Sequence, residues 1–430
     1  MRGREVWVTG IGLVTSLGIG VEATWNGMME GATGMTATTS DEARIVRCPS
    51  QAQVKKFRGA DFISNRKSLK LMTRQVQLGL AAARLAVEDA KLDVAKVDSE
   101  MFGVYVGAGQ AFAESRELEG AFDQARREDG TFDIVAFGDK GLAFIHPLWL
   151  LRGLSNNVLG FVSLEYDAQG INNNYCNSGI SSAQAILSGA RSVAEGLADI
   201  VLVGGYDDIL TPEGLLGYGR LGLLANGAMT AENAHRPFDR HRTGLVPAEG
   251  ACFLMLEAPE HARARGATPL ARVVGGGVAS DGYHVTTPDP GGGKLRRAAE
   301  AALAEVGAET SDVGAVFAHG ASSVRFDQVE AQVYRELFGS RIGAIPICAD
   351  KANLGHTVAA SAAISAAVVC KALAMGRLPH IPTLKDVDPA CAGLQYLTGG
   401  PVSWTPSLTL TASAGLGGQA AVLAFAPVVA

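Results

Sequence analysis

A cysteine in the first half of the chain has the setting of a nucleophile. Cys176 follows a turn-prone run of glycine and asparagine, and apolar residues at helical spacing come after it. This pattern predicts a helix that begins near the cysteine. Unpaired amide groups at a helix N-terminus stabilise a thiolate. Taken alone, the pattern is more typical of a buried cysteine at the start of a helix.

Two histidines change that interpretation. His319 ends an apolar strand-like run and is followed by Gly320, whereas His356 comes directly after Gly355 and before an alanine-rich helix. Either histidine alone would more often be part of the core than of a site. In open α/β sheets the functional cleft lies at the carboxyl ends of strands. We therefore expect Cys176, His319 and His356 to share one cleft.

The elements that would hold these residues alternate along the chain. Alternating strands and amphipathic helices predict an α/β fold with largely parallel sheets. The predicted strands cover residues 6–10, 104–106, 200–203, 253–256, 313–318 and 408–412, and the predicted helices cover 75–90, 178–196 and 294–305.

Length and composition indicate a large compact protein with two halves. The chain has 430 residues, 47% of them hydrophobic and 19% charged, with 53 glycines. The charged, turn-ending segment 257–266 is the best junction, so we predict halves of 1–257 and 258–430. The net charge of −6 argues against nucleic acid as a partner.

The remaining cysteines and the apolar segments restrict location and cofactors. The six cysteines are scattered without a C-x-x-C pair, so we expect neither a zinc site nor disulfides. The N-terminus runs directly into a predicted strand without a signal-peptide core. The uncharged stretch between His356 and Lys371 is shorter than the roughly 20 residues of a membrane span. We predict a cytoplasmic protein with no membrane association.

The order and spacing of several further blocks make the sequence resemble the β-ketoacyl-[acyl-carrier-protein] synthases, including the type II polyketide ketosynthases. The resemblance covers nearly the whole chain, and its blocks are residues 8–12, 204–205, 236–239, 248–251, 280–290 and 415–418. It implies a thiolase-like α/β fold with five layers, αβαβα, and two similar halves.

The resemblance also implies roles for particular residues. Cys176 would carry the acyl chain as a thioester, while His319 and His356 would promote decarboxylation of the malonyl thioester and stabilise the enolate. The backbone amides of Cys176 and Leu416 would form the oxyanion hole, and Lys351 would order the site electrostatically. Asp327 and Glu330 are expected to be structural.

This chemistry needs no metal or redox cofactor. A thiolate and two neutral imidazole donors suffice for carbon–carbon bond formation with loss of carbon dioxide. The chain has no P-loop, and its glycine clusters lack the spacing of a dinucleotide site. We therefore expect no cofactor, with substrates carried on the phosphopantetheine of an acyl carrier protein.

Several positions depart from the family pattern. Two threonines that usually contact the phosphopantetheine arm are Ala321 and Ser323 here, so we expect Ser323 and Thr286 to contact the arm. Leu416 replaces a phenylalanine gate, and Ser365 replaces a glutamate on the helix after the second histidine. These departures suggest a specialised ketosynthase that makes a polyketide or polyene.

The expected partners follow from the substrate. An acyl carrier protein is acidic, and the basic residues Lys67, Lys70, Arg74 and Arg220 match a docking surface, although a merely solvated helix face explains them equally well. We expect a homodimer, or a heterodimer with a homologous chain-length-factor subunit. Segments 113–145 and 215–224 are the predicted pocket and interface walls.

Three other functions are known for proteins with similar sequence blocks, and the residues of this chain bear on each. A degradative thiolase would need a second cysteine in block 415–418, which has none. A non-catalytic partner subunit would lack the nucleophile, whereas this chain has Cys176 and both histidines. An acyltransferase that does not decarboxylate stays open, as do the length and nature of the acyl chain and the choice between homodimer and heterodimer.

Overall fold

The structure is a computed structural model that describes residues 1, 3–38, 40–110, 115–227 and 230–428. The described strands are β1 (Trp7–Thr15), β2 (Gly18–Ile19), β3 (Thr36–Ala37), β4 (Ser50–Gln51), β5 (Phe102–Ala108), β6 (Asn172–Tyr175), β7 (Ile200–Asp208), β8 (Glu249–Glu257), β9 (Ala271–Ser280), β10 (Val313–Phe317), β11 (Pro346–Cys348), β12 (Arg377–Leu378), β13 (Gln395–Tyr396), β14 (Val402–Ser403), β15 (Leu408–Gly415) and β16 (Gln419–Ala426).

The described α-helices alternate with these strands. They are α1 (Val21–Met29), α2 (Asp41–Ile45), α3 (Arg74–Asp89), α4 (Glu119–Gln124), α5 (Ile134–Asp139), α6 (Trp149–Arg152), α7 (Asn157–Tyr166), α8 (Ser181–Ala194), α9 (Pro212–Arg220), α10 (Pro259–Ala264), α11 (Gly293–Val306), α12 (Val324–Phe338), α13 (Lys351–Leu354) and α14 (Ser361–Met375). Every predicted strand and helix coincides with one of these elements, although its bounds differ.

One sheet runs through both halves of the chain. Its strand order is β13-β11-β10-β15-β16-β9-β1-β8-β7-β5-β6, with β2 paired to β1. The outer pairs are parallel, but every pair from β15 to β7 is antiparallel. The prediction of a largely parallel sheet is therefore wrong for the centre. Only three residues connect β15 to β16, and such a short connection can join antiparallel strands only.

The two halves of the sheet meet at a narrow seam. β1 contacts β9 through two residue pairs, Trp7 with Arg272 and Val8 with Ala271. On one side of this seam lie β6, β5, β7, β8 and β1. On the other side lie β9, β16, β15, β10, β11 and β13. The predicted boundary at 257/258 falls between β8 and α10, and it stays a prediction.

Helices cover the half-sheets in layers. α3 packs on β1, β7 and β8, and α11 packs on β9 and β16. Between the half-sheets lie α8 and α14, which touch each other and strands of both halves. This arrangement is the predicted five-layered αβαβα fold. Its innermost residues are small and apolar, since alanines fill much of the buried cluster around α8 and α14.

The apolar stretch after His356 is longer than the sequence suggested. Val358–Met375 forms 18 helical residues with a mean hydropathy of 1.9, so its length and composition would suit a membrane span. In the fold, however, 83% of it is buried inside the protein. It is the core helix between the two half-sheets, and burial rather than shortness explains its composition.

The described part of segment 113–145 stands apart from the layers. Residues 113 and 114 of this prediction lie outside the described residues. From 115 onwards the chain forms α4, α5 and short 3-10 turns, in which Phe122, Phe132 and Phe137 pack together with ring centroids 5.5–5.8 Å apart. Ile134 and Val135 are largely exposed, so this segment presents an apolar surface to its surroundings.

Candidate active site

Cys176 lies between a strand and a helical segment. It follows β6, which pairs with β5, and it precedes the 3-10 turn Ser178–Ile180 that leads into α8. Gly179 lies in this turn, where a Cβ atom would come within 2.2 Å of the Ala414 carbonyl oxygen. The glycine therefore lets the cysteine turn approach the end of β15. The cysteine itself is exposed, and Sγ donates to the Gly109 carbonyl over 3.6 Å.

The surroundings of Cys176 oppose the effect expected from the helix start. Although the residue is exposed, its sulfur is partly enclosed at the Gly109 carbonyl. This partial desolvation raises the pKa of the Cys176 thiol, and the nearby carboxylate of Asp207 raises this pKa further. The helix N-terminus favours a thiolate, whereas these two influences favour the thiol. A thiol at this position would lose its proton as it attacks a thioester.

The two histidines pack against each other. Their ring centroids are 5.2 Å apart with an interplanar angle of 74°. Nδ1 of His319 accepts a hydrogen bond from the Ala414 amide at 3.3 Å, and Nδ1 of His356 accepts from the Val358 amide at 3.0 Å. Because a neutral imidazole has one donor and one acceptor nitrogen, these bonds leave the proton on Nε2. Each ring is therefore set up as an Nε2–H donor.

Electrostatics keep both rings neutral. Burial lowers the pKa of His319 well below its usual value, and the charge of Lys351 lowers it further. Burial also lowers the pKa of His356 well below its usual value, with further contributions from His319 and Lys351. At neutral pH both side chains can donate a hydrogen bond without carrying a charge.

A buried carboxylate shapes the backbone at His319. Glu330 on α12 accepts hydrogen bonds from the His319 amide at 2.7 Å and from the Gly320 amide at 2.9 Å, and the Tyr334 hydroxyl donates to it at 2.7 Å. Asp327, on the same helix, accepts from the Phe238 amide at 2.9 Å. These contacts agree with the structural role expected for both acidic residues.

Lys351 is buried beside the histidines. Its ammonium lies 4.0 Å from a carboxylate oxygen of Asp350. Asp350 in turn accepts hydrogen bonds from the Ser365 hydroxyl, at 3.0 Å to each oxygen. Ser365 is the position at which the family pattern has a glutamate, and here the neighbouring carboxylate comes from Asp350.

A pocket of about 500 Å³ opens at Cys176. Leu416, Gly417, Val285 and Val358 line it together with the cysteine. Val358 is the residue whose amide bonds to His356, and the Leu416 turn directly follows the end of β15 that bonds to His319. The pocket therefore brings Cys176 and Leu416 together. His356 lies two residues before the lining residue Val358, and His319 contacts Ala414, two residues before the lining residue Leu416.

The Leu416 amide has a partner in this structure. It donates to the Ser178 hydroxyl at 3.2 Å. Gly417 donates to the Val285 carbonyl at 2.6 Å, and Gly417 has a φ of 89°, which favours glycine. An oxyanion at Cys176 would have to take the amide of Leu416 from Ser178.

The residues predicted to contact the phosphopantetheine arm lie on two segments, of which one adjoins the pocket residue Val285. Thr286 is half-buried beside Val285, and its amide donates to Nδ1 of His284 at 3.1 Å. Ser323 is half-buried at the N-terminus of α12, and Ala321 is buried. Ser323 accepts at its backbone oxygen from Arg242 at 3.2 Å.

The predicted docking residues differ in their surroundings. Lys67 and Lys70 are exposed on the 3-10 segment Arg66–Leu71, and Arg220 is exposed at the end of α9. Arg74 is half-buried, and its guanidinium forms hydrogen bonds to both carboxylate oxygens of Glu249 at 2.5 and 2.7 Å. Glu249 is buried, so Arg74 supports the fold in this structure.

A polar wall of the pocket escaped the sequence analysis. It is formed by residues at the ends of β5 and β7 and on α9, namely Gln110, Asp207, Asp208, Thr211, Glu213 and Tyr218. Asp207 and Asp208 follow the predicted strand 200–203. This position could have indicated the polar wall, because the functional cleft lies at strand ends. Among the residues that the structure describes, no group of three or more His, Cys, Asp or Glu side chains could hold a metal ion.

The sequence matches one enzyme family along most of its length. Residues 3–262 match the β-ketoacyl synthase N-terminal domain, and residues 270–385 match the β-ketoacyl synthase C-terminal domain. A 3-oxoacyl-[acyl-carrier-protein] synthase 2 from Synechocystis sp. is 30% identical over 422 residues, which cover 98% of each chain. The enzyme of the same name from Staphylococcus aureus is 29% identical over 426 residues, which cover 99% of this chain and 98% of that one.

Solved structures of the same architecture superimpose over the whole chain. A type II PKS acyl-carrier protein in complex with its ketosynthase bound to the hexaketide gives a TM-score of 0.88 at 26% identity, covering 99% of this chain and 100% of that one. The ishigamide ketosynthase/chain length factor gives 0.88 at 26% identity and covers both chains fully. A β-ketoacyl synthase from Burkholderia phymatum gives 0.87 at 27% identity, covering 99% and 100%. With its fold, its sequence blocks and its cysteine pocket in agreement, this chain belongs to the β-ketoacyl synthase family, whose members are acyltransferase-class enzymes.

Proposed function

We propose that this chain catalyses the decarboxylative condensation of an acyl chain on Cys176 with malonyl-[acyl-carrier protein]. The observation that carries the proposal is the pair of neutral imidazoles, which bond to the backbone at Val358 and Ala414 next to the Cys176 pocket. His319 and His356 each accept a backbone amide at Nδ1 and so present Nε2–H. Two such donors suit a developing enolate, which needs hydrogen bonds and no metal.

The first step loads the acyl chain. The Cys176 sulfur attacks the carbonyl carbon of an acyl thioester, the bond to the carrier's sulfur breaks, and the thiol proton passes to the departing thiolate. The backbone amides of Cys176 and Leu416 would hold the tetrahedral oxyanion. Because the Leu416 amide donates to Ser178 at rest, a small movement of this turn must accompany loading.

The second step makes the nucleophile. The bond between the malonyl carboxylate and its neighbouring carbon breaks, carbon dioxide leaves, and the electron pair forms an enolate on the thioester oxygen. Nε2–H of His319 and His356 would donate to that oxygen. Preorganised donors of this kind are each worth roughly a hundredfold or more in rate. Lys351 and burial support the step by keeping both rings neutral.

The third step forms the product. The enolate carbon attacks the acyl carbonyl on Cys176, a carbon–carbon bond forms, and the sulfur leaves as a thiolate that takes up a proton from solvent water. The β-ketoacyl product stays on the carrier protein. Apart from the carrier's phosphopantetheine, this sequence requires neither metal nor redox cofactor, and we propose that the enzyme uses none.

An acyl carrier protein is the proposed macromolecular partner. Support comes from the exposed basic side chains of Lys67, Lys70 and Arg220 and from the related ketosynthase structure that contains an acyl-carrier protein. Thr286 and Ser323 are proposed to contact the phosphopantetheine arm. Thr286 neighbours the pocket residue Val285, which supports its part in this role.

A second subunit, identical or homologous, is also proposed. β6 lies at the edge of the sheet, and an edge strand offers unpaired backbone groups to a partner. Exposed apolar residues on α5, α6 and α7, namely Ile134, Leu150 and Leu164, would be covered by such a partner. A related solved structure pairs a ketosynthase with a chain length factor, which supports either a homodimer or that heterodimer.

We further propose a specialised polyketide or polyene pathway and a cytoplasmic location. The related type II polyketide ketosynthase structure and the family departures at Ala321 and Leu416 support the pathway. Burial of the apolar helix Val358–Met375 in the protein core supports the location. A preference for ordinary saturated-chain elongation with the native carrier protein would contradict the specialised pathway.

Two measurements separate condensation from acyl transfer without decarboxylation. Intact-protein mass spectrometry would detect the acyl group on Cys176, and labelled malonyl-carrier protein would report carbon dioxide. Condensation predicts acylation of the native protein, carbon dioxide release that depends on the acyl primer, and loss of acylation in Cys176→Ala. Acylation without any release of carbon dioxide, even with candidate partner subunits present, would support the acyltransferase.

A further inference from the structure

The pocket at Cys176 has two chemically different walls. Ile209, Leu221, Val285, Val358 and Leu416 form an apolar wall. The polar wall consists of Gln110, Asp207, Asp208, Thr211, Glu213 and Tyr218. A pocket for a saturated chain needs only the first wall. The second wall has acceptor groups concentrated on β7 and on the first turn of α9.

The acidic side chains of the polar wall are fixed by backbone amides. Asp207, which is 3% exposed, accepts from the Ala359 amide at 2.9 Å and from the Asp208 amide at 2.9 Å. Asp208 accepts from the Leu210 amide at 2.9 Å. A carboxylate has about four lone-pair positions, so these backbone bonds leave acceptor positions unoccupied on each group.

Glu213 extends the same wall toward the pocket rim. It lies in the first turn of α9, whose N-terminus is capped by Thr211, and it accepts from the Ser115 amide at 3.2 Å. Tyr218, one helical turn and a half further on, lines the pocket from the same helix. Acceptors from two separate elements therefore line the pocket that opens at Cys176.

An apolar chain would be a poor occupant of this space. It would displace water from the carboxylates without replacing the lost hydrogen bonds, which is unfavourable because desolvated acceptors are left unsatisfied. A site with polar groups of this kind selects a ligand that satisfies them and rejects its unsubstituted analogue. Burial raises the pKa of both Asp207 and Asp208 to about 7, so burial disfavours the charged form of both carboxylates. A hydrogen-bond donor on the ligand would stabilise that charged form.

We infer that the acyl chain accepted by Cys176 carries at least one hydrogen-bond donor, a hydroxyl or an amino group, which binds the polar wall formed with Asp207, Asp208 and Glu213. This inference rests on the proposed function and gives its substrate class. A hydroxyl and an ammonium group can both donate a hydrogen bond to these carboxylates. Thioester substrates that carry one group or the other distinguish the two.

The test uses the full chain and matched pantetheine thioesters. Each medium-chain acyl thioester is compared with partners of equal length that carry one hydroxyl near the thioester, midway or at the end, and with one that ends in an amino group. In the reaction Cys176 exchanges its thiol proton for the acyl group, and pantetheine leaves as a thiol. Intact-protein mass spectrometry gives the rate.

We expect at least one donor-bearing thioester to acylate Cys176 about tenfold faster than its plain analogue or more. Glu213→Leu and Gln110→Leu should each reduce that preference and speed loading of the plain chain. Glu300→Leu, a substitution of an exposed glutamate on α11, is the matched control and should keep the native preference.

Two results would overturn the inference. The first is a plain chain that acylates as fast as every donor-bearing partner. The second is an unchanged preference in both Glu213→Leu and Gln110→Leu, because the discrimination would then lie elsewhere. Failure of the proposed function gives a different result, since no acyl thioester of either kind would then modify Cys176.

Discussion

The Ser365 hydroxyl donates to the Asp350 carboxylate, at 3.0 Å from each oxygen. Asp350 precedes Lys351 in the chain and lies 4.0 Å from its ammonium. The family resemblance implies a glutamate at the position of Ser365. In this chain the carboxylate near Lys351 belongs to Asp350 instead, and Ser365 contributes a hydroxyl in exchange.

This exchange predicts a non-additive pair of substitutions. Ser365→Glu alone would place two buried carboxylates side by side, which we expect to lower the free energy of unfolding by about 2 kcal/mol or more. Asp350→Ser alone would remove the carboxylate near Lys351. The double variant restores one carboxylate and one hydroxyl, so it should recover most of the lost free energy of unfolding, as measured by urea unfolding. Additive losses in the double variant would contradict the exchange.

The Nε2–H donors can be tested by substitutions that keep or remove a donor. Glutamine can place an amide N–H near the Nε2 position, whereas alanine cannot. We expect His356→Ala to lower the rate of malonyl decarboxylation by roughly a hundredfold or more, and His356→Gln to lose clearly less. Carbon dioxide release at saturating malonyl-carrier protein measures both. Equal losses would show that the hydrogen-bond donor at Nε2 is not what the ring supplies.

The depressed histidine pKa values predict how stability changes with acid. Burial lowers the pKa of His319 in the folded state, so below about pH 6.5 only the unfolded chain takes up that proton. The contribution of His319 is therefore present above pH 6.5 and is lost as the pH falls below it. The stability difference between native protein and His319→Gln should shift by about 1.4 kcal/mol per pH unit between pH 6 and 5.

The comparison with His319→Gln removes the opposing effect of buried acids. Burial raises the pKa of Asp207 and Asp327 to about 7, so these groups hold protons in the folded state and favour folding at lower pH. They are present in both proteins. Urea unfolding at several pH values gives the difference, and a difference that does not vary with pH would mean that His319 titrates normally in the fold.

The basic residues near α3 should separate into docking and structural groups. Charge reversal at Lys67 and Lys70, both exposed, should raise KM for carrier-bound substrate about tenfold and leave reaction with a small pantetheine thioester unchanged. Arg74→Ala should instead lower stability by about 3 kcal/mol or more, because it leaves the buried Glu249 carboxylate unpaired.

Kinetics and unfolding with the same variants check this separation. An equal loss of activity toward carrier-bound and small thioesters in the lysine variants would contradict docking at this surface. A thermally normal Arg74→Ala protein would contradict the structural role of the Arg74–Glu249 ion pair.

Sequence patterns predicted the elements well because most strands are buried on both faces. They underestimated strand ends where glycine enters a strand. β1 was expected to end at Gly10 but continues to Thr15. A Cβ atom at Gly12 would come within 1.8 Å of the Ala82 carbonyl oxygen, so glycine lets α3 pack directly on the strand. From the sequence alone, the same glycines predict the end of the strand.

The sequence predicts candidate reacting groups, whereas the walls of the pocket could not be predicted from it. Cys176, His319 and His356 could be named because each stands at the end of an element, next to glycine or small residues. The polar wall depends on the direction in which Asp207 and Glu213 project, and that is set by packing between distant elements. The contact between Asp350 and Ser365 joins the start of α13 to α14. The spacing of apolar residues along the sequence does not predict such a contact.

The central claim is carbon–carbon bond formation on Cys176. The most direct measurement is the mass of the carrier-bound product formed from an acyl primer and labelled malonyl-carrier protein, with native enzyme and with Cys176→Ala. The account predicts a β-ketoacyl product two carbons longer than the primer, with one carbon dioxide released per product, and no such product with Cys176→Ala. A primer transferred to the carrier without elongation, or an elongated product that forms equally well with Cys176→Ala, would contradict it.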